Sequence, residues 1–150
     1  MRHRVTRVLP YAPAQLFALV GDVERYPQFV PWVKRLRAWN QRAEGEGVTT
    51  LDAEAEVGFS IIHERFSTHV RLDEPALAID ASLISGPFRR LENRWRFVGH
   101  AKGAELSFEI DFEFKNRLLD ALLAANFHRA VGRLIGCFED RARQLYGPRG

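Results

Sequence analysis

From about Val33 to Phe114 apolar residues recur at every second position, a period that predicts a succession of β-strands. The last of them is the most regular: Ala104, Leu106, Phe108, Ile110, Phe112 and Phe114 alternate with Glu105, Ser107, Glu109, Asp111 and Glu113. Upstream, Leu51, Ala53, Ala55 and Val57 alternate with Asp52, Glu54 and Glu56, and Leu77, Ile79, Ala81 and Leu83 repeat the pattern less cleanly. Strands this one-sided belong to an antiparallel sheet with one face covered and one in water.

The flanks have a different rhythm. Residues 2–9 alternate as a first strand, and Pro10-Tyr11-Ala12-Pro13 ends it. Pro13 suits the first turn of a helix running through Val20, and Asp22 is placed to cap a second helix starting in Val23-Glu24-Arg25, kept short by Pro27 and Pro31. After Lys115 the period becomes helical. Asn116 serves as N-cap, and Leu118, Leu119, Leu122, Val131, Leu134, Ile135, Phe138, Ala142 and Leu145 recur at threes and fours. With no proline before Pro148, and Gly147 ahead of it as a stop, the pattern predicts one helix of roughly 30 residues and 45 Å.

Strand, two short helices, about six further strands and a long helix make an α+β helix-grip fold: a curved antiparallel sheet of about seven strands closed by the C-terminal helix. Such a sheet does not fill its own concavity. The hollow has to be plugged by bulky side chains or occupied by something apolar.

Hydrophobic residues at 46% and charged ones at 27% mark an ordinary globular chain. With no linker or repeat it reads as a single domain, 1–150. No apolar run is long enough for a spanning helix, and Met1 to Val8 has basic residues without the apolar core of a secretory leader, so the expected location is cytoplasmic. A lone Cys137 offers no internal disulfide and fits a reducing compartment.

The net charge of +3 is unevenly spread: residues 1–50 carry 8 basic against 4 acidic side chains, with Lys34-Arg35-Leu36-Arg37 the densest run. A solvated strand explains that run, with anionic lipid or RNA as the other readings. Gly58-Phe59 suggests a two-residue turn, which would set Glu54 opposite His63 and Asp52 opposite Arg65. Further on, Arg90, Glu92, Arg94 and Arg96 form the wet face of a strand beside the acidic face of residues 105–113. Cross-strand ion pairing therefore explains the arginines without nucleic acid, and no DNA partner is expected.

Catalytic signatures are missing: there is no nucleophile elbow, phosphate-cradling glycine loop or helix-borne histidine pair. His63 and His69 share parity on the wet face, which gives no metal site, and Cys137 reads as a small core residue. No catalytic residue and no catalytic cofactor is assigned. Glu64 is the one acid placed to serve a cyclase-like reaction.

Three motifs in order then identify a resemblance: Asp22-Val23-Glu24-Arg25-Tyr26-Pro27-Gln28-Phe29-Val30-Pro31-Trp32; Gly86-Pro87-Phe88-Arg89-Arg90-Leu91 with Trp95-Arg96-Phe97; and Phe138-Glu139-Asp140-Arg141-Ala142 with Leu145-Tyr146-Gly147. They resemble the coenzyme Q-binding, START-like proteins of the polyketide cyclase and lipid transport superfamily, over nearly the whole chain. Val33 stands where many members carry a cysteine, which removes a thiol role there. The resemblance implies a non-enzymatic carrier of ubiquinone, a polyprenyl quinone. It would serve respiratory electron transport or quinone-biosynthesis enzymes, with peripheral contact on the inner face of the cell membrane. Bacterial members also include a ribosome-association toxin, so a ribosomal partner and inhibition of translation are the alternative.

On this reading Phe66, Val70, Leu83, Trp95, Phe97, Phe108, Ile110 and Phe112 line the interior with Leu134, Ile135 and Phe138 of the long helix. Glu64, Thr68 and Asn93 share the buried parity. Either they satisfy backbone or reach the cavity mouth, or they recognise a quinone ring: its carbonyls only accept hydrogen bonds, so Asn93 or Thr68 would donate, whereas ionised Glu64 suits a quinol. Gly132 and Gly136, one turn apart, serve either close packing on the sheet or room for a prenyl chain. Tyr26, Phe29, Val30 and Trp32 combine aromatics with turn-forming prolines beside the basic run. They are expected either to form a lid or membrane-surface foot, or to be anchored through a buried Trp32.

Overall fold

The computed structural model describes residues 1–59 and 62–147. The chain runs β1 (Arg2–Leu9), α1 (Pro13–Gly21), a 3₁₀ turn (Val23–Gln28), β2 (Val33–Gly45), β3 (Val48–Phe59), β4 (Ile62–Asp73), β5 (Ala78–Ser85), β6 (Phe88–His100), β7 (Gly103–Phe114), α2 (Arg117–Ala124) and α3 (Phe127–Tyr146). Seven antiparallel strands form one curved sheet in the order β1-β7-β6-β5-β4-β3-β2, so the α+β helix-grip arrangement is the observed one. Alternation is what positions the core. Ala104, Leu106, Phe108, Phe112 and Phe114 of β7 are buried, while Glu105 between them is exposed.

The β3–β4 register corrects the expected turn. Gly58 and Phe59 are both paired, with His63 and Ile62, so the connection falls two residues later than a Gly58-Phe59 turn would put it, outside the described residues. Parity survives a shift of this size, because moving a two-residue turn by two keeps every side chain on its face. The outer pairs become Asp52 with His69 and Glu56 with Arg65, and unlike groups still meet: His69 Nδ1 lies 3.0 Å from Asp52 Oδ1 and Arg65 Nη2 3.5 Å from Glu56 Oε2.

Within the arginine cluster Arg90 pairs with β7 as expected, while Arg96 turns to β5. Arg90 bonds Asp111 at 3.1 Å and Glu113 at 3.2 Å, and Arg96 bonds Asp80 at 2.8 Å. Lys34, Arg35 and Arg37 are exposed on β2, an edge strand, where charge also discourages pairing with another chain.

Three helical expectations are corrected. The second short helix is a 3₁₀ turn, because Pro27 lies within it and cannot donate an α-helical hydrogen bond. Asp22 makes no side-chain cap there and stands 3.8 Å from Arg25 instead.

The long C-terminal helix is broken. Asn116 does cap, accepting from Leu118 N at 2.9 Å and Leu119 N at 3.1 Å, but α2 stops at Ala124 and a 20-residue α3 follows. The break has a packing cause. Leu119 and Leu123 of α2 rest on a cluster of Phe88, Leu91, Phe112 and Phe114, whereas α3 buries Val131, Ile135, Phe138 and Ala142. At 3.6 residues per turn these two stripes are roughly a third of a turn out of phase, so one straight helix cannot seat both. Asn126, off helical geometry at φ −124° and ψ 12°, takes up the difference. Gly147 follows α3, and Pro148 lies outside the described residues.

Candidate functional site

The space between the sheet and α3 is the place to look for a guest, and most of its length is solid. Phe138 is 1% exposed and meets Trp95, Tyr26 and Phe29 edge to face with ring centroids 5.1, 5.2 and 5.2 Å away. Trp95 in turn lies 4.3 Å from Phe108 and stacks on Phe97 at 6.4 Å. Val70, Trp95, Phe97, Phe108, Phe112 and Ile135 are thus core residues. Under the second half of α3 the expected hollow is plugged by the protein's own aromatics.

Towards α2 the covering thins. Phe66, Leu83, Ile110, Leu119, Leu123 and Phe127 pack around Phe88, Leu91, Phe112 and Phe114, yet each of the six is only half-buried. The β5–β6 turn helps shape this end. Gly86 has φ +147°, and a Cβ there would sit 2.5 Å from the Cβ of Phe66, so the turn lies against the floor as only glycine allows.

Glu64 and Asn93 are half-buried on the same face and Thr68 is buried. Among the described residues Arg141 Nε is the one side-chain nitrogen or oxygen wholly buried without a partner, so the polar atoms of these three are satisfied or reached by water. Thr68 stands between Ala53 of the main core and Leu83, Asn93 between Ala81 and Ile110, and Glu64 opposite Val57. Leu134 is half-buried against the main core.

Of the two readings of the glycines, the structure excludes close packing. Gly132 and Gly136 fall on the flank of the buried stripe of α3, and a Cβ at either would meet nothing within 4 Å. Close packing on the sheet is therefore not what keeps them glycine. Space lies beside both.

Of the two readings of residues 26–32, the exposed lid or foot is corrected and the segment is anchored inward, though through Tyr26, Phe29 and Val30 more than through Trp32. Val30 is fully buried, Tyr26 donates to the Val20 carbonyl, Phe29 packs on Phe138, and Trp32 is half-buried. Burial pushes the Tyr26 phenol far above its ordinary value, with the nearby Asp22 charge adding to it. Turns built on Pro27 and Pro31 give these rings a fixed inward path, which alternation of residue types does not reveal.

Two features were missed from sequence. Arg141 donates to Gln28 Oε1 at 2.9 Å and lies over the Phe29 ring at 5.3 Å, fastening α3 to the 3₁₀ turn. Its place in the third motif was the available signal. The other is a cleft of about 260 Å³ at the opposite end of the sheet, where Phe17, Val23, Leu51 and Leu72 meet a rim that includes Asp22, Glu24 and Glu74. It arises where α1 and the 3₁₀ turn meet β2, β3 and β4, a juxtaposition without local signature, and none of the expected lining residues reaches it.

Chemically the half-open floor can hold an apolar body with a polar edge beside it. No group of three or more His, Cys, Asp or Glu side chains among the described residues is arranged for a metal ion. His63 is exposed, and His69 is engaged by Asp52. Burial, together with Asp140, raises the Cys137 thiol, which makes it a poor nucleophile. No helix among the described residues is long and apolar enough to cross a membrane.

Comparison with known proteins agrees with this geometry. Residues 9–139 match the family model described as polyketide cyclase / dehydrase and lipid transport. The chain is 34% identical over 143 residues to the ribosome association toxin RatA of Rickettsia prowazekii, spanning 93% of this chain and 94% of that protein. It is 33% identical over 147 residues to the mitochondrial coenzyme Q-binding protein COQ10 homolog B of Xenopus laevis, covering 95% of this chain but 58% of the relative. Among solved structures, an 18 kDa protein of Caulobacter crescentus superposes with a TM-score of 0.85 at 57% identity over 99% of both chains. The Zhui aromatase/cyclase of Streptomyces has a TM-score of 0.74 at 15% identity, over 97% of this chain and 94% of that one, a likeness of fold alone. The chain belongs to the polyketide cyclase / dehydrase and lipid transport family.

Proposed function

We propose that the protein binds a polyprenyl quinone and carries it between a membrane and quinone-using enzymes without transforming it. The observation that carries this reading is the half-open apolar floor of Phe66, Leu83, Ile110 and Phe127, bordered by Glu64, Thr68 and Asn93. A quinone is a ring with polar edges on an apolar tail. In this reading the ring meets the polar border, where Thr68 and Asn93 donate to its carbonyls, and the tail lies on the floor and beside Gly132. The likeness to a coenzyme Q-binding protein supports the ligand class. The aromatic packing around Phe138 confines the guest to the α2 end.

The second reading is a ribosomal one, supported by the 34% identity to a ribosome association toxin along almost the full length of both chains. Organic extraction of the purified protein followed by mass spectrometry separates them. Co-purified quinone is the expected result; an empty protein that co-sediments with ribosomal subunits overturns the carrier reading. Glu64→Gln refines the site, since it removes the charge while keeping shape. Retention of reduced relative to oxidised quinone should fall, and equal retention of both would take Glu64 out of the contact.

A further inference from the structure

Helix α2 carries leucine on two adjoining faces. Leu119 and Leu123 face the cluster of Phe88, Leu91, Phe112 and Phe114, yet Leu118 is 72% exposed and Leu122 is 56% exposed, one turn apart and about 100° round the helix from the inner pair. Two leucines presented to water on an eight-residue helix match neither a buried helix nor a surface one. The charge around them has one sign: Lys115, Arg117 and Arg129 are exposed, with His128 beside them. Asp120 is the one carboxylate from residue 115 to 135; it is half-buried and accepts from Phe114 N at 3.2 Å. At the same end of the sheet, Arg89 near the start of β6 is exposed as well.

We propose that α2, rather than the 3₁₀ segment, is the surface by which the protein docks on an anionic phospholipid bilayer. Leu118 and Leu122 enter the boundary between headgroups and acyl chains, while Lys115, Arg117 and Arg129 meet lipid phosphates. Cations alone would fit RNA phosphates equally well, but RNA leaves the leucines in water, so lipid is the occupant that uses both features. The biological purpose rests on the quinone-binding reading. The inner leucines of α2 cover the half-open floor, so a docked helix sets the mouth of the site against the membrane that holds the ligand.

The test is sedimentation of the full chain with vesicles of phosphatidylcholine alone and of phosphatidylcholine mixed with phosphatidylglycerol. The parent protein should sediment with the anionic vesicles and be released by high salt. A Leu118→Gln/Leu122→Gln variant should lose roughly tenfold or more of that binding while its thermal midpoint stays put, because both side chains are exposed. Failure of the parent to bind anionic vesicles at low salt overturns the proposal, as does full binding by the variant. Binding to ribosomal subunits that ignores the leucines but needs Arg117 and Arg129, without vesicle binding, overturns it in favour of RNA. Quinone extracted from the same preparations keeps the two readings apart. Vesicle binding without quinone removes the carrier function and leaves the docking surface, and quinone without vesicle binding does the reverse.

Discussion

Phe138 decides more about the interior than any other side chain. Three aromatic rings close on it from the sheet and from the 3₁₀ turn, and its own position on α3 is fixed by Ile135 and Ala142 on the same stripe. Truncation to alanine removes a wholly buried ring from a site that cannot collapse around it. Phe138→Ala should therefore cost about 3–5 kcal/mol in chemical denaturation. The cavity so made is lined by aromatics and stays dry, so an apolar fluorescent probe should bind the variant more strongly than the parent. Unchanged stability would mean that the aromatic packing described above is not the core. Arg141 belongs to the same locus: its cation sits over Phe29 and its Nη2 holds Gln28, so the turn that shuts off this end is fastened by one residue of α3.

Among the elements, α3 is the one whose composition conflicts with its role. Glycine inside a helix costs about 0.5–1 kcal/mol relative to alanine, and Gly132 and Gly136 have no close neighbour that would forbid a Cβ. Gly132→Ala and Gly136→Ala should each raise stability by about that amount, measured as an upward shift of the thermal midpoint. Loss of stability in either would show an unseen neighbour. The larger pair Gly132→Leu and Gly136→Leu should fold as well, and the quinone reading expects it to take up less ligand than the alanine pair. The break between α2 and α3 follows the same physics at larger spacing. Each helix is amphipathic about its own axis, and the two apolar stripes answer to two different patches of one curved sheet.

For the molecule as a whole, the outer face of the sheet is an ionic surface and the inner face an apolar one. Exposed pairs of this kind contribute at most about 1 kcal/mol each, so they tune stability more than they create it. Their effect shows in acid. Partial burial alone would raise the Asp111 carboxyl, but the Arg90 hydrogen bond and the charges of Arg90, the N-terminus and Arg2 hold it below the ordinary carboxylate value. Asp52 is held low by hydrogen bonds from Asn40 and His69. Both groups thus bind protons less readily folded than unfolded. Their contribution is fully present above the unfolded value of about 4 and is lost as pH falls through the folded one. Arg90→Met should lower the neutral plateau of a stability-against-pH curve while leaving its acid end nearly unchanged, so that the acid limb flattens; an identical curve would show that Arg90 does not set the Asp111 carboxyl.

Alternation of side chains along β1 to β7 carried the sheet, its buried face and the pairing of charges on the other, because period and parity are local and survive even a misplaced β3–β4 turn. The cap at Asn116 was legible for the same reason. What no periodicity could give was how far the concavity is filled: whether Phe138, Tyr26 and Phe29 point into one space depends on where three distant segments meet. The helix break, the inward turn of the 3₁₀ aromatics, the open leucines of α2 and the cleft beside Phe17 were likewise decided only by tertiary packing. A pattern along the chain says which face is apolar, and only the assembled layers say how much room is left between such faces.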